Sequence, residues 1–238
     1  MSDKSQKRFY KILRWCIAPV LRFFIKIKVK GLENVPKVGP AIIVCNHRSD
    51  IDPSIVSIVI PRYISWLAAA YMKNVPLIGW IIKKTGMVLM EVNGKVSSSS
   101  VRQSLGVLDR GELLGIFPEG EDYIFANDFS APLAQFYPGF AIIALRKQVP
   151  IVPVLICSIE EKLRPLRIPT SIRQEIGRYH DLDKIKNMVR YKRVKIVVGE
   201  PIVAHLEKGF NHKEALARLM RQVRESMLDI QKKLSIQY

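Results

Sequence analysis

Ala41-Ile42-Ile43-Val44-Cys45-Asn46-His47-Arg48-Ser49-Asp50-Ile51-Asp52-Pro53 changes character twice within a short span. Its first five residues are apolar and mostly β-branched, the composition of a strand buried on both faces. Asp52 followed by Pro53 reads as a helix N-cap and the first helical residue, because proline has no N–H to leave unpaired there and its φ is already helical. The span is therefore a strand, a turn and a helix, with His47 at the C-terminal mouth of the strand. In open α/β sheets that mouth is where active-site residues gather. One reading of the pair is a general base, His47, beside a carboxylate, Asp52, that orients it. The plainer reading makes Asp52 a helix cap, with Ser49 and Asp50 as alternatives, and His47 a structural residue.

A second apolar run, Leu113-Leu114-Gly115-Ile116-Phe117, ends in Pro118-Glu119-Gly120 and delivers another carboxylate to a strand end, next to an unhindered glycine backbone. Between the two lies Lys73-Asn74-Val75-Pro76-Leu77-Ile78-Gly79, running on to Gly86. After them come Val149-Pro150-Ile151-Val152-Pro153-Val154 and the closing strand Val194-Lys195-Ile196-Val197-Val198-Gly199-Glu200-Pro201. In this order, over roughly residues 30 to 203, the blocks resemble the glycerolipid acyltransferase superfamily of the 1-acylglycerol-3-phosphate type. Its signature is His, four residues, Asp, then Phe-Pro-Glu-Gly downstream.

The resemblance implies an α/β fold with a mixed, largely parallel central sheet flanked by helices. It implies transfer of a fatty acyl group from a thioester, acyl-CoA or acyl carrier protein, to a hydroxyl of a lyso-phospholipid or related acceptor. His47 would take the hydroxyl proton and Asp52 would fix the imidazole tautomer, with no covalent acyl-enzyme. Glu119 would position the acceptor or a neighbouring cation, and the Gly120 N–H would face a tetrahedral oxyanion. No cofactor is implied beyond the thioester co-substrate. Two other classes stay open at this point: a catalytically inactive membrane-binding protein on the same scaffold, and an acyl-thioester hydrolase.

The chain departs from the family pattern where phosphate is held. Phe-Pro-Glu-Gly usually continues with Thr-Arg, and here Glu121 and Asp122 follow; the second block usually ends in Asp-Arg, and here Glu91-Val92 stand. Bidentate guanidinium contacts suit phosphate. With both arginines absent, Arg48, Lys73, Lys83 and Lys84 are the candidates to replace them, or the acceptor carries no phosphate there. An acceptor bearing an amine would suit Glu121 and Asp122.

The 238 residues suffice for one substantial core. We divide them into a basic amphipathic arm, residues 1–30, and a catalytic domain, residues 31–238. A net charge of +17 favours polyanionic partners. In the arm, Phe9, Ile12, Leu13, Cys16, Ile17 and Val20 recur at helical spacing, while Lys7, Lys11 and Arg14 take another face. With Trp15, that is the pattern of an interfacial helix on an anionic membrane; the alternative is packing on the protein's own core. Pro19 is expected to kink or end the helix. No stretch reads as a membrane span, since Phe129 to Leu145, the longest uncharged one, is interrupted by Pro132 and Pro138. The expected location is the cytoplasmic side of the membrane, peripheral or monotopic, with no nucleic acid bound.

Cys16, Cys45 and Cys157 read as reduced thiols, and Cys45 as an unpromising nucleophile. The four histidines lack metal-ligand spacing, so no metal is expected. Gly120 to Pro138, rich in aromatic residues, is the expected lid or acceptor loop. Residues 160 to 195, strongly basic, read as a solvated surface, and Asn211 to Leu234 as a final helix docking on the core.

Overall fold

The strand that precedes His47 lies in the middle of the sheet. The computed structural model describes residues 2–91, 97–120, 133–165, 170–178, 187–204 and 211–235. Among these, seven strands form one sheet: β1 (Lys26–Lys30), β2 (Ala41–Cys45), β3 (Ile64–Ala69), β4 (Val88–Met90), β5 (Leu113–Ile116), β6 (Ile151–Pro165) and β7 (Asn187–Val198), in the order β1-β7-β6-β2-β5-β3-β4. Every neighbouring pair is parallel except β6 and β7. The sheet is thus mixed and largely parallel, as expected.

Two-sided burial explains the apolar run of β2. Its Ile42 and Val44 pack with Val107, Phe140, Val223 and Met227, from α4 (Ser98–Asp109), α5 (Gly139–Lys147) and α7 (His212–Ser235). Ala41, Ile43 and Cys45 point the other way, into a cluster with Ile55, Val56 and Val59 of α2 (Asp52–Val59). All five residues of β2 are fully buried. Burying a large aliphatic side chain contributes about 1.5–3 kcal/mol, so β2 is the best-anchored support available to the turn that follows it.

α1 (Asp3–Phe24) continues past Pro19, so the proline does not end the helix, one of the two outcomes expected of it. Pro19 and Trp15 both lie on the exposed side of the helix, so the carbonyl that loses its donor faces solvent. The inner side of α1 is docked. Tyr10 is buried, and Ile17, Ala18 and Leu21 pack on the α2 cluster. Arg14 donates to the Ile58 carbonyl at 3.1 Å, and Lys7 pairs with the buried Glu112 at 2.5 Å. The outer side keeps its own apolar residues, Ile12, Trp15, Val20, Phe23 and Phe24, all exposed. Apolar residues thus occupy both sides of the helix, and core packing accounts for one of them.

The largest departure is at residues 160–195, where β6 continues to Pro165 and β7 starts at Asn187. Instead of a solvated surface they build an antiparallel hairpin, bulged around Glu160. Period-2 alternation was masked by charge: Val189, Tyr191 and Val194 are buried while Arg190, Lys192 and Arg193 between them are exposed. β6 runs parallel to β2 and meets the strand's last residue at Val154, so the hairpin stands up beside the mouth where His47 emerges. At the other edge, β1 pairs with β7 in a register that sets Lys26 beside Arg193 and Lys28 beside Lys195.

α3 (Ile78–Thr85) and α6 (Thr170–Gly177) complete the described helices. A 3-10 turn over Ala70–Asn74 precedes α3, and Gly79 approaches the Lys73 carbonyl so closely that a Cβ would lie 2.0 Å from it.

Candidate active site

The turn after β2 folds back on the Asp52 carboxylate. Asp52 is the first residue of α2, and that helix has no side-chain cap. Instead of reaching forward to the helix N–H groups, the carboxylate reaches backward. Its Oδ2 accepts the Arg48 N–H at 2.6 Å and the Ser49 N–H at 2.7 Å and lies 3.0 Å from His47 Nδ1. Its Oδ1 accepts the Tyr191 hydroxyl at 2.9 Å. The cap reading is thereby replaced by the orienter geometry. Asp52 has no exposed surface, and an isolated carboxylate so placed would be strongly unfavourable; four donors supply what water would otherwise give.

His47 is partly open, with 15% of its side chain exposed. Its ring stacks on Phe117 at 4.1 Å between centroids, and Phe117 stacks on the buried Trp66 at 4.9 Å. Trp66 donates its indole N–H to Ser57 Oγ at 2.9 Å and lies over Gly115, where a Cβ would come within 2.3 Å of the indole. One ring face and one nitrogen of His47 are therefore held, and Nε2 is the nitrogen not turned to Asp52.

Glu119 is brought to the same place, where both of its oxygens meet backbone. Oε2 accepts the His47 N–H at 2.6 Å and Oε1 the Ala134 N–H at 2.8 Å. Both oxygens thus hold backbone. Burial pushes its acid above the usual carboxylate range, against the lowering effect of those two N–H groups. Gly120 departs from its expected role. With φ at +72° it closes a turn in which its N–H donates to the Phe117 carbonyl at 3.1 Å, so it is already engaged and is not an oxyanion donor.

Arg48 sits beside His47, and its guanidinium meets Glu161 of the hairpin in a fork, with Nε to Oε2 at 3.0 Å and Nη2 to Oε1 at 2.6 Å. Along the hairpin Arg190 pairs with Asp50, and Lys192 and Arg193 pair with Glu160. Lys73 is exposed at the end of the 3-10 turn, and Lys84 lies 6.0 Å from the Trp80 ring centroid on α3. Glu121, Asp122 and most of the expected lid lie outside the described residues. Cys45 is fully buried, and burial together with the Asp52 charge raises its thiol well above the ordinary value, which removes it as a nucleophile. Tyr191 is the site residue the sequence did not reveal; its only sequence signal is the alternation hidden within a basic stretch.

A histidine at the mouth of the central strand with a buried carboxylate behind it puts the chain among α/β proteins whose sites gather at strand mouths. Comparison narrows the class. Residues 26–157 match the acyltransferase family model, more than half of the chain, and the chain belongs to that family. It is 30% identical over 165 residues to an uncharacterised protein of Mycobacterium tuberculosis, covering 61% of this chain and 42% of that one. It is 25% identical over 167 residues to the 1-acyl-sn-glycerol-3-phosphate acyltransferase of Saccharomyces cerevisiae, covering 66% and 49%. The chain therefore spans half or less of the length of these relatives. Against the 1-acyl-sn-glycerol-3-phosphate acyltransferase of Bacillus subtilis the identity is 23% over 230 residues, covering 94% of this chain and 98% of that one. The crystal structure of the 1-acyl-sn-glycerophosphate acyltransferase of Thermotoga maritima superposes with a TM-score of 0.58 at 21% identity, covering 96% and 78% of the two chains, and shares the fold.

Proposed function

We propose that this acyltransferase moves a fatty acyl group from a thioester, acyl-CoA or acyl carrier protein, to the hydroxyl of a lyso-phospholipid or related glycerolipid acceptor. The observation that carries the reading is the His47–Asp52 pair: Nδ1 at 3.0 Å from a fully buried carboxylate. As the acceptor oxygen attacks the thioester carbonyl, Nε2 takes its proton. Asp52 keeps the tautomer that leaves Nε2 unprotonated beforehand and stabilises the imidazolium afterwards. Collapse of the tetrahedral adduct expels the thiolate, which takes the proton back from His47. Glu119 holds the backbone on which His47 stands.

The acceptor headgroup is the open half of the reading. Arg48 is already in a fork with Glu161, so a phosphate would have to displace a carboxylate to reach it. The acids at Glu121 and Asp122 favour an acceptor whose headgroup differs from a bare phosphate monoester.

The exposed outer side of α1, with Trp15 79% and Phe23 84% exposed, supports peripheral association with an anionic membrane; Arg8, Lys11 and Arg22 are exposed beside it. Among the described residues no helix is long and apolar enough to cross a membrane.

The deciding experiment incubates the protein and His47→Ala with labelled acyl-CoA or acyl carrier protein and a panel of acceptors: lysophosphatidate, phosphate-masked and amine-bearing lyso-lipids. Acylated lipid made by the wild type alone supports the reading. Free fatty acid as the sole product would replace it with hydrolysis, and turnover by His47→Ala near the wild-type level would remove His47 as the base.

A further inference from the structure

We propose that Tyr191 is a positioning residue of this site: from β7 it sets the plane of the Asp52 carboxylate, and through it the tautomer and orientation of His47. The proposal rests on the reading of His47 as the general base.

The two oxygens of Asp52 are held differently. Oδ2 gathers three donors, Arg48 N–H, Ser49 N–H and His47 Nδ1, all from the turn that contains the pair. Oδ1 accepts the Tyr191 hydroxyl, which comes from a strand 139 residues away in the chain. The one soft motion left to the buried carboxylate is rotation about Cβ–Cγ, which carries Oδ2 out of line with Nδ1. The Tyr191 hydroxyl opposes that rotation from the other oxygen. The bond is a phenolic O–H to a carboxylate buried away from water, the charge-assisted kind that is short and directional. Both partners are closed off, Tyr191 being 4% exposed and Asp52 not at all, so water does not substitute for the hydroxyl.

The surroundings agree with a holding role. Burial and the Asp52 charge keep the phenol protonated, well above its ordinary range, so it remains a donor throughout the working range of a histidine base. Two residues earlier in β7, the Val189 carbonyl accepts the Ser49 hydroxyl at 2.8 Å. With the Arg190–Asp50 pair, the strand thus meets the turn at three points: the Ser49 hydroxyl, Asp50 and the Asp52 carboxylate. Phe117 covers one face of the His47 ring, so rotation of the imidazole is opposed by stacking on that face and by Asp52 along its edge. Tyr191 lies beyond residues 26–157, the span that carries the family match. The His–Asp signature alone therefore does not account for this contact.

Tyr191→Phe removes one hydroxyl and keeps the ring. Long-range 1H–15N spectra of the His47 imidazole, assigned by its loss in His47→Ala, read the tautomer with no substrate present. The expected result is a proton on Nδ1 in the wild type and a shift toward the Nε2-protonated form in Tyr191→Phe. In the acyl-transfer assay kcat should fall on the order of 10- to 100-fold with KM unchanged. A folded Tyr191→Phe with the wild-type tautomer and wild-type kcat would overturn the proposal. If that variant does not fold, 3-fluorotyrosine at position 191 keeps the shape while strengthening the donor. Movement of the His47 15N resonances supports the role, and no movement overturns it. Since the spectra need no turnover, a wild-type protein that transfers acyl groups to no acceptor would defeat the proposed function while leaving the tautomer result to decide on Tyr191.

Discussion

His47 is constrained from three directions by residues of quite different kinds: a carboxylate along its edge, an aromatic ring over its face and a glutamate under its backbone. Gly115 belongs to this set although it touches nothing catalytic. A methyl group there would meet the Trp66 indole at 2.3 Å, and the push would pass through Phe117 to the imidazole. Gly115→Ala is expected to destabilise the fold by about 1–3 kcal/mol, as overpacking does, and to lower kcat in excess of any loss of folded protein; thermal unfolding and single-turnover rates separate the two. Glu119 gives a second test. Its raised acid means that the folded protein holds a proton more tightly than the unfolded chain does. Glu119 therefore contributes most below the ordinary carboxylate value, and its contribution falls as pH climbs through the raised one. Glu119→Gln should flatten that slope in urea midpoints across the weakly acid range. It should also lower stability by about 1–3 kcal/mol, because an amide NH2 faces one of the two backbone N–H groups. At this scale the meeting of His47, Asp52 and Glu119 was legible, since His47 and Glu119 follow apolar runs and Asp52 opens a helix just before a proline. The jobs of Glu119 and Gly120 were not, because a sequence does not tell whether an oxygen or an N–H points outward or is consumed by a neighbouring backbone.

α1 illustrates how an element is read correctly in kind and wrongly in detail. Its apolar residues recur at helical spacing on two sides, and spacing alone cannot divide those that meet the core from those that meet solvent. Tertiary contacts make the division: Tyr10, Ile17 and Leu21 inward, Trp15, Val20 and Phe23 outward. Replacing Trp15 and Phe23 together by serine should reduce sedimentation with anionic vesicles several-fold and leave the melting temperature within about 1–2 °C, since exposed positions contribute little to stability. The opposite pattern is expected of Lys7→Met. Lys7 meets the buried Glu112, so its loss should destabilise by about 1–2 kcal/mol, with Arg110 retaining part of the pairing; calorimetry reads it. The β6–β7 hairpin was hidden for another reason. The exposed positions of β7, Arg190, Lys192 and Arg193, are all basic, so the buried Val189 and Tyr191 look like interruptions of a charged run rather than one face of a strand.

The whole molecule joins two kinds of information. The strand–turn–helix at the mouth of β2 follows from a short apolar run and the turn after it, while the largely parallel sheet was what the family resemblance implied. The antiparallel arm follows from long-range pairing, with β6 and β7 joined across a wide gap in sequence, and local patterns do not specify such a partner. That arm is where the site acquires Tyr191 and where Arg48 meets Glu161. The edge of the sheet has a consequence of its own. Lys28 beside Lys195 sets like charges on neighbouring strands, which weakens the sheet, and ions in solution relieve it; Lys26 lies beside Arg193, which already pairs with Glu160. Raising salt from about 10 mM to about 150 mM shrinks the reach of a charge from roughly 30 Å to roughly 8 Å. The melting temperature should climb over that interval while retention on anionic vesicles, which the basic residues of α1 serve, declines, so that electrolyte steadies the sheet and frees the helix from lipid at once.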